Sequence, residues 1–319
     1  MKEYDLIVIG GGISGMTSAL AATENGISKI LIIEREETLG GILNQCIGSG
    51  YGKKVLNIDL TGPEYTSFIG DRLMEKPVDI KLKTEVLNIS KDRVVSYLNS
   101  KEGVNSVKGK AIMLATGCKE KYTGSISIPV NRFAGVYTIG SVQKIINIEG
   151  YLPGKEPVIV ADNNWALIVA KRLVIEGAKI KALIIDEEKG FRLSDKNNKI
   201  IKGFNIPILY KSRIKEVFGK ERIEGIKILS EETGNNTSIA CDSLILSVCY
   251  YPELGIIKGA GLEINPENLS PKINGFQTTI SGIFACGTLL YGIDALKEED
   301  IEGIQAGKAV AEYLNKWRQ

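Results

Sequence analysis

The sequence predicts an α/β protein built around two βαβ units. The first runs from an apolar strand at Leu6–Ile9, through a glycine-rich turn and a helical pattern, to a strand at Lys29–Ile33. In the second, an apolar strand ends at Val160, a helical pattern covers Leu167–Glu176, and another strand ends at Asp186. The composition, 44% hydrophobic and 24% charged over 319 residues, fits a globular protein of one large or two ordinary domains.

Composition excludes several classes of function. The 40 basic and 38 acidic residues form no basic block that would favour nucleic acid, and no apolar run has membrane-spanning length. The first strand begins at Tyr4, so we expect no signal peptide ahead of it. The 5 cysteines are Cys46, Cys118, Cys241, Cys249 and Cys286. They form no CxxC pair and no zinc spacing, so we expect reduced thiols, a cytoplasmic location and no metal site.

Histidine is absent from the chain. This absence excludes Ser-His-Asp and Cys-His nucleophilic sites and any mechanism in which an imidazole carries protons. The chemistry must therefore be carried by another group, and a bound cofactor is the simplest choice.

The turn of the first βαβ unit has the glycine pattern of a dinucleotide site. Gly10 allows a sharp turn, Gly12 lets a pyrophosphate approach the backbone, and Gly15 lets helix and strand pack closely. The phosphates would bind the N–H groups at the start of the helix. Glu34 ends the second strand about 20 residues after the last glycine, where a carboxylate accepts hydrogen bonds from ribose hydroxyls. The sequence therefore predicts a dinucleotide site, and a plain βα turn is the alternative.

Further segments resemble the two-dinucleotide-binding-domain flavoproteins, the superfamily of thioredoxin reductase and glutathione reductase. In the superfamily's order, these segments are "ETLGGILNQC", "TEVLNI", "KAIMLATG", "TTISGIFACGTLL" and "EEDIEGIQAGKAVAEYL". The resemblance implies FAD, with the Gly-Gly segment beneath the flavin and the last helix pointing its N-terminus at the isoalloxazine, where the dipole favours reduced flavin. The residues assigned to FAD are Gly10, Gly12, Ile13, Ser14, Gly15, Glu34, Arg35, Gly40, Gly41, Ile42, Gln45, Val86, Ala115, Thr116, Gly117, Gly287, Thr288 and Ile301.

A closer resemblance is to the small flavoproteins associated with glycerol-3-phosphate-dehydrogenase-type enzymes and with dye-linked amino-acid and opine dehydrogenases. It is carried by "GGILNQCIGSGYG…LTGPEY", "LATGCKEK" and "GVYTIGSVQKIIN". The chain departs from that subgroup in two ways: Gly48 and Tyr291 lie where histidines are usual, and Thr288 replaces the ribityl-binding Asp or Asn. A threonine hydroxyl can still hydrogen-bond a ribityl hydroxyl, so we expect FAD binding to persist.

The resemblance also implies the domain organisation: two Rossmann-like three-layer α/β domains, the second inserted in the first. Residues 1–120 and 253–319 would form the FAD-binding domain, and 121–252 an NAD(P)-binding-like domain. A small β-meander is expected around 78–110. The segment "TGPEYTSFIGDRLMEK" predicts a helix with Pro63 in its first turn.

The second βαβ unit has lost the glycines that a cofactor needs. In the subgroup this segment carries three glycines, and their places are taken here by Ala161, Asn163 and Ala166. A side chain at Asn163 fills the space through which backbone N–H groups would meet a pyrophosphate. The strand "DSLILSV" ordinarily leads to a glycine beside the nicotinamide nucleotide, where this chain has Cys249. The sequence predicts that this site is closed or takes another ligand, such as a mononucleotide; retained NAD(P)H binding is the alternative.

We therefore expect an FAD-dependent oxidoreductase that works as an electron-transferring subunit of a multi-subunit dehydrogenase. Its partner would be a small-molecule redox substrate or another dehydrogenase subunit, in an oligomer or complex. A self-sufficient NADH-dependent flavin reductase or oxidase and a non-catalytic scaffold with a flavoprotein fold remain alternatives. No residue is assigned as catalytic. Cys46 follows the Gly-Gly segment, and we favour a small buried residue over a reactive thiolate because no second cysteine is near in sequence.

Overall fold

The computed structural model describes residues 1–120, 134–185, 191, 193, 195–247, 250–293 and 299–316, except for the side chains of residues 196 and 299. The chain divides into two compact units: Met1–Lys119 with Tyr250–Gln319, and Glu120–Cys249. The bounds of the FAD-binding and NAD(P)-binding-like domains given above remain a prediction beside this division.

The elements before the crossing into the second unit are β1 (Lys2–Ile9), α1 (Ile13–Glu24), β2 (Ile30–Ile33), β3 (Ser49–Tyr51), α2 (Lys53–Leu56), β4 (Leu60–Thr61), α3 (Gly62–Met74), β5 (Val78–Lys81), β6 (Glu85–Ile89), β7 (Val94–Asn99), β8 (Gly103–Leu114) and β9 (Cys118–Glu120). A 3₁₀ helix covers Gly41–Gln45.

The elements of the second unit that follow are β10 (Val136–Thr138), α4 (Ile139–Asn147), β11 (Pro157–Ala161), α5 (Asn164–Ile175), β12 (Ala182–Ile185), α6 (Asp195–Gly203), β13 (Ile208–Leu209), β14 (Ser212–Gly219), β15 (Ile223–Ser230), β16 (Asn236–Ala240) and β17 (Ser243–Leu246). The chain then returns through β18 (Tyr250–Pro252), a 3₁₀ helix at Gly255–Ala260, β19 (Ile273–Asn274), β20 (Gln277–Thr278), β21 (Ile283–Ala285), α7 (Thr288–Tyr291) and α8 (Glu299–Lys316).

The main sheet of the first unit has the strand order β19-β20-β21-β8-β1-β2-β5. Strands β5, β2, β1, β8 and β21 run parallel, and β2 is buried along its whole length. A parallel strand covered on both faces needs a continuous apolar run, which Ile30–Ile33 supplies. With the parallel sheet of the second unit, this arrangement confirms the predicted α/β class.

The predicted meander is only partly right. Strands β6, β7 and β8 form an antiparallel set, with Val95 paired to Ile89 on one side and Val107 on the other. Strand β5 instead pairs in parallel with β2, Val78 opposite Ile30. The reason is that β5 follows α3, and a helical crossover returns the chain parallel to the strand before it. The helix around Pro63 is confirmed as α3, which Thr61 and Glu64 cap with a reciprocal capping box.

Helices α1 and α8 cross with almost no space between them. A Cβ on Gly303 would lie 2.6 Å from the carbonyl oxygen of Ser14, and one on Gly307 would lie 2.3 Å from that of Ser18. Two glycines one helical turn apart therefore let the backbone of α8 rest on that of α1. This contact fixes the start of α8 beside the start of α1.

The second unit contains a parallel sheet in the order β10-β17-β11-β12-β13 and a separate antiparallel sheet, β14-β15-β16. Strands β11 and β17 lie side by side, with Ile159 opposite Ile245. The chain leaves β11 toward β12 on one side, while β17 and β10 lie on the other. The carboxyl ends of β11 and β17 therefore border a topological switch point, the place where open α/β sheets bind ligands.

A cluster around Glu102 predicts a pH dependence of stability. Its carboxylate accepts hydrogen bonds from Lys81 Nζ at 2.7 Å, Tyr97 Oη at 2.7 Å and Asn99 Nδ2 at 3.2 Å. These donors, Lys81 first, lower the pKa of Glu102 to about 2. Since the folded-state pKa lies below the ordinary value of 4.5, the stabilisation is complete above that value and is lost as the pH falls toward 2.

We expect Glu102→Gln to lower the melting temperature at pH 7 by a few degrees at most, because the carboxylate is partly exposed. The difference from the unmodified protein should shrink as the pH approaches 2. Thermal unfolding followed by circular dichroism across this range tests it, with Glu75→Gln as a control at an exposed acid. A pH-independent difference would contradict the assignment.

Candidate functional site

The glycine turn after β1 is built from backbone contacts that exclude side chains. Gly10 has a φ of +102°, and a Cβ there would lie 2.2 Å from the carbonyl oxygen of Ala115. A Cβ on Gly15 would lie 2.0 Å from the carbonyl oxygen of Gly10. These two positions require glycine for the fold itself, and the contacts fit the roles of turn and close packing.

Gly12 differs from both because the space in front of it is open. No described atom lies within 4 Å of the position a Cβ would take, and its φ of −66° is one that any residue adopts. Gly12 is the N-cap of α1, and among the described residues no side chain caps this helix and no acid occupies its first turn. Ile13 and Ser14 begin the helix. An uncapped helix N-terminus beside open space fits the diphosphate of a dinucleotide.

Glu34 lies at the carboxyl end of β2, next to the turn. Its Oε2 accepts a hydrogen bond from Gly11 N at 2.6 Å, and its Oε1 accepts one from Glu36 N at 2.8 Å. A carboxylate has about four acceptor positions, so both oxygens keep capacity for ribose hydroxyls. Arg35 is exposed, and its Nε lies 3.9 Å from Glu36 Oε1.

The Gly-Gly segment lies directly against the turn. Gly40 N donates to Gly11 O at 2.8 Å, and a Cβ on Gly41 would lie 3.1 Å from Gly12 Cα. Both glycines have positive φ, +116° and +57°. The following 3₁₀ helix holds the half-buried Ile42 and Gln45. A ligand at Gly12 would therefore also meet this segment.

The predicted residues at the other end of the site also come together. Gly117 has a φ of +71°, and a Cβ on it would lie 3.3 Å from Thr288 Oγ1. Thr288 is buried at the start of α7 and follows Gly287. Thr116 Oγ1 donates its proton to Glu253 O at 2.8 Å, which ties the loop after β8 to the segment after β18. The loop after β8 and the loop before α7 thus form one wall.

Three further residues considered from the sequence have defined positions in the fold. Val86 is buried in β6, opposite Tyr97. Ile301 is half-buried near the start of α8. Cys46 is 4% exposed, and its Sγ lies 3.3 Å from Ile42 O, an environment that suits a small buried residue. The roles of Val86 and Ile301 at a cofactor stay predictions.

Asp300, which was not predicted from the sequence as a site residue, also lies at this end of the site. It is the second residue of α8, and Tyr65 Oη donates to its Oδ2 at 2.8 Å. Both side chains are buried, and burial, with Asp300 as the second cause, raises the pKa of Tyr65. The sequence signal that could have found it was an acid beside Ile301 at the start of the last helix.

The switch-point crevice of the second unit is crossed by side chains. Ser247, which follows β17, donates its hydroxyl to Asp162 Oδ1, which follows β11. Asn163 Nδ2 donates to the same oxygen at 3.0 Å. Asn163 Oδ1 in turn accepts from Trp165 N at 2.9 Å, so the helix caps its own N-terminus. Trp165 is buried, and its Nε1 donates to Gln143 Oε1 at 2.8 Å.

These residues do not fit a nicotinamide dinucleotide. The amide that would meet a phosphate is bonded to Asn163, and the Asp162 carboxylate adds negative charge where a diphosphate would lie. The cap also explains why α5 begins at Asn164 and not at Leu167, where the apolar pattern begins. Cys249, and Asp186 at the predicted end of the second strand, lie outside the described residues.

Neither a membrane-spanning helix nor a metal cluster occurs within the described ranges. None of the helices there combines the length and hydropathy needed to cross a lipid bilayer. No group of three or more His, Cys, Asp or Glu side chains in that part of the chain is arranged to hold a metal ion.

The family profile described as pyridine nucleotide-disulphide oxidoreductase matches residues 4–307. The chain belongs to this family. It is an FAD-dependent oxidoreductase, and the resemblance to the two-dinucleotide flavoproteins is confirmed. When bound, FAD would supply two-electron redox chemistry, and the protein supplies binding and electrostatics.

Similar proteins agree with this family. A ferredoxin–NADP reductase of Picrophilus torridus is 24% identical over 99% of this chain and 95% of its own length. An opine oxidase subunit of Rhizobium meliloti is 23% identical over 82% of this chain, and the match spans only 53% of that protein. The crystal structure of T. acidophilum thioredoxin reductase matches with a TM-score of 0.78 at 19% identity, covering 98% of this chain and 99% of that one. This structural likeness establishes the fold alone.

The open space at Gly12 predicts a variant that loses FAD without losing its fold. In Gly12→Ala, the methyl group meets no described atom of the protein, so the melting temperature of the FAD-free form should not fall. The methyl would occupy the diphosphate path, and we expect FAD affinity to drop at least ~tenfold, equal to ~1.4 kcal/mol. Isothermal titration calorimetry and thermal unfolding measure the two effects.

Gly70→Ala in α3 is the matched control, because its Cβ also meets open space but lies away from the turn. It should leave FAD affinity unchanged. Gly10→Ala should instead destabilise the fold, because Gly10 has positive φ and a Cβ clash. Equal FAD affinity in Gly12→Ala and the unmodified protein would refute the site.

Proposed function

We propose that this chain is the FAD-containing, electron-transferring subunit of a multi-subunit dehydrogenase, and that NAD(P)H is not its electron donor. The observation that carries the proposal is the hydrogen bond from Ser247 to Asp162 across the switch-point crevice. A nicotinamide dinucleotide needs that crevice open and the amides of the following helix free. In the second unit the crevice is bridged and Trp165 N is bonded to Asn163, whereas the space at Gly12 is open and α1 has no side-chain cap, which supports the proposal.

The alternative use of the fold is an NAD(P)H-dependent reductase. The likeness to a ferredoxin–NADP reductase over nearly the whole chain favours that function. The likeness to a protein named as an oxidase subunit favours a role within a complex. At 23–24% identity neither name transfers by itself, so we weigh the crevice of the second unit beside them. Its polar side chains favour the subunit role, with electrons exchanged with a small-molecule substrate or a partner subunit.

Anaerobic titration of the FAD-loaded protein tests the proposal directly. We expect flavin absorbance to stay unchanged with NADH and with NADPH up to millimolar concentrations. Dithionite should bleach the same sample, which shows that the flavin is reducible. Full reduction at micromolar NADH or NADPH would contradict the proposal and favour the reductase. Protein that stays colourless after FAD is supplied would favour a non-catalytic scaffold.

A second prediction concerns opening the crevice. The double variant Asp162→Gly/Asn163→Gly removes the bridge to Ser247, the cap on Trp165 N and a negative charge. Glycine at an N-cap costs only a few tenths of a kcal/mol, so the helix should persist. We expect NADH affinity to rise at least ~tenfold.

Ser247→Ala removes the bridge alone and leaves the cap and the charge. It should gain NADH affinity, but less than the double variant, because the cap and the charge still oppose a diphosphate. Titration of NADH fluorescence measures both variants. An unmodified protein that already binds NADH as tightly as the double variant would show that these side chains do not close the site.

A further inference from the structure

The start of α8 holds a buried carboxylate, Asp300, whose role is not explained by cofactor binding or by the second unit. Asp300 is 6% exposed, and both of its oxygens accept hydrogen bonds: Oδ2 from Tyr65 Oη and Oδ1 from Ile301 N, each at 2.8 Å. A carboxylate is costly to bury unless donors satisfy it. Here one donor comes from α3 and one from the helix backbone, so the group is held at two points.

The contacts of α8 place this carboxylate at the flavin end of the FAD site. Gly303 packs on Ser14 at the N-terminus of α1, where the diphosphate would bind. Gly287 N, which precedes the predicted ribityl contact, donates to Glu302 Oε1 at 2.9 Å. Asp300 lies within one helical turn of both contacts. The adenosine half of FAD would run from the diphosphate toward Glu34. The flavin half would leave the diphosphate in the other direction and therefore pass beside the start of α8.

A helix N-terminus carries about half a positive charge, which alone would stabilise a cofactor that gains electrons. An acid in the same turn offsets that charge. We propose that Asp300 lowers the reduction potential of the bound FAD by opposing the positive end of α8, and that Tyr65 is the positioning residue that holds the carboxylate there. The assignment rests on the FAD site and is independent of which molecule supplies or receives the electrons.

The test is the midpoint potential of FAD-loaded protein, measured anaerobically against reference dyes at pH 7. Asp300→Asn keeps the shape and removes the charge. We expect a more positive potential, with at least a ~tenfold higher ratio of reduced to oxidised flavin at a fixed potential, or ~30 mV for a two-electron couple. Tyr65→Phe keeps the charge but frees the carboxylate from one of its two donors, so the potential should rise by less than in Asp300→Asn.

Glu312→Gln, an exposed acid farther along α8, has the same change in net charge and should leave the potential unchanged. FAD stoichiometry and near-ultraviolet circular dichroism identify any variant that has lost its fold. An unchanged potential in FAD-loaded Asp300→Asn would overturn the proposal. A rise of the potential in Tyr65→Phe or Glu312→Gln as large as that in Asp300→Asn would also overturn it. Loss of FAD from folded Asp300→Asn would overturn it too, because the residue would then be a binding group. The reference dyes set the redox state of the flavin, so this measurement needs neither an electron donor nor a partner subunit. Its result would therefore stand even if the subunit proposal failed.

Discussion

The predicted FAD site depends on three backbone segments that touch where side chains would not fit. Gly15 in α1 packs on Gly10 at the end of β1, and Gly10 packs on Ala115 at the end of β8. These contacts fix the start of α1 at the carboxyl edge of the sheet. The open space at Gly12, the carboxylate of Glu34 and the Gly-Gly segment are then positioned around one uncapped helix terminus.

The second unit shows what the same strand-helix-strand frame does without the glycines. Asn163 satisfies the helix terminus from within the protein, and Asp162 joins β11 to β17 through Ser247. Polar groups that could bind a ligand instead hydrogen-bond to one another, so they are satisfied when no ligand is bound. The two units share the strand-helix-strand frame, and they differ in whether a side chain of the protein caps the N-terminus of its helix.

Much of the fold and of the candidate site could be predicted from sequence, because it depends on interactions between residues that are near one another in the chain. The order of strand, glycines, helix and Glu34 predicted the first turn, and Pro63 in the first turn of a helical segment predicted α3. The pairing of β5 with β2 was not predicted, because it depends on a crossover over the sheet. The start of α5 was missed because apolar periodicity points to Leu167, whereas the cap at Asn163 sets the boundary. Asp300 was missed because its partner, Tyr65, is distant in sequence.

The packing of α8 on α1 has a consequence for the order of biosynthesis. Gly303 and Gly307 rest on Ser14 and Ser18, so the first helix of the site is completed by a helix made almost three hundred residues later. A nascent chain that has been translated only through the second unit lacks α8, and so it lacks one side of the predicted FAD site. We therefore expect flavin loading to follow translation of α8, and until then the face of α1 at Ser14, Thr17 and Ser18 would lack the helix that packs on it.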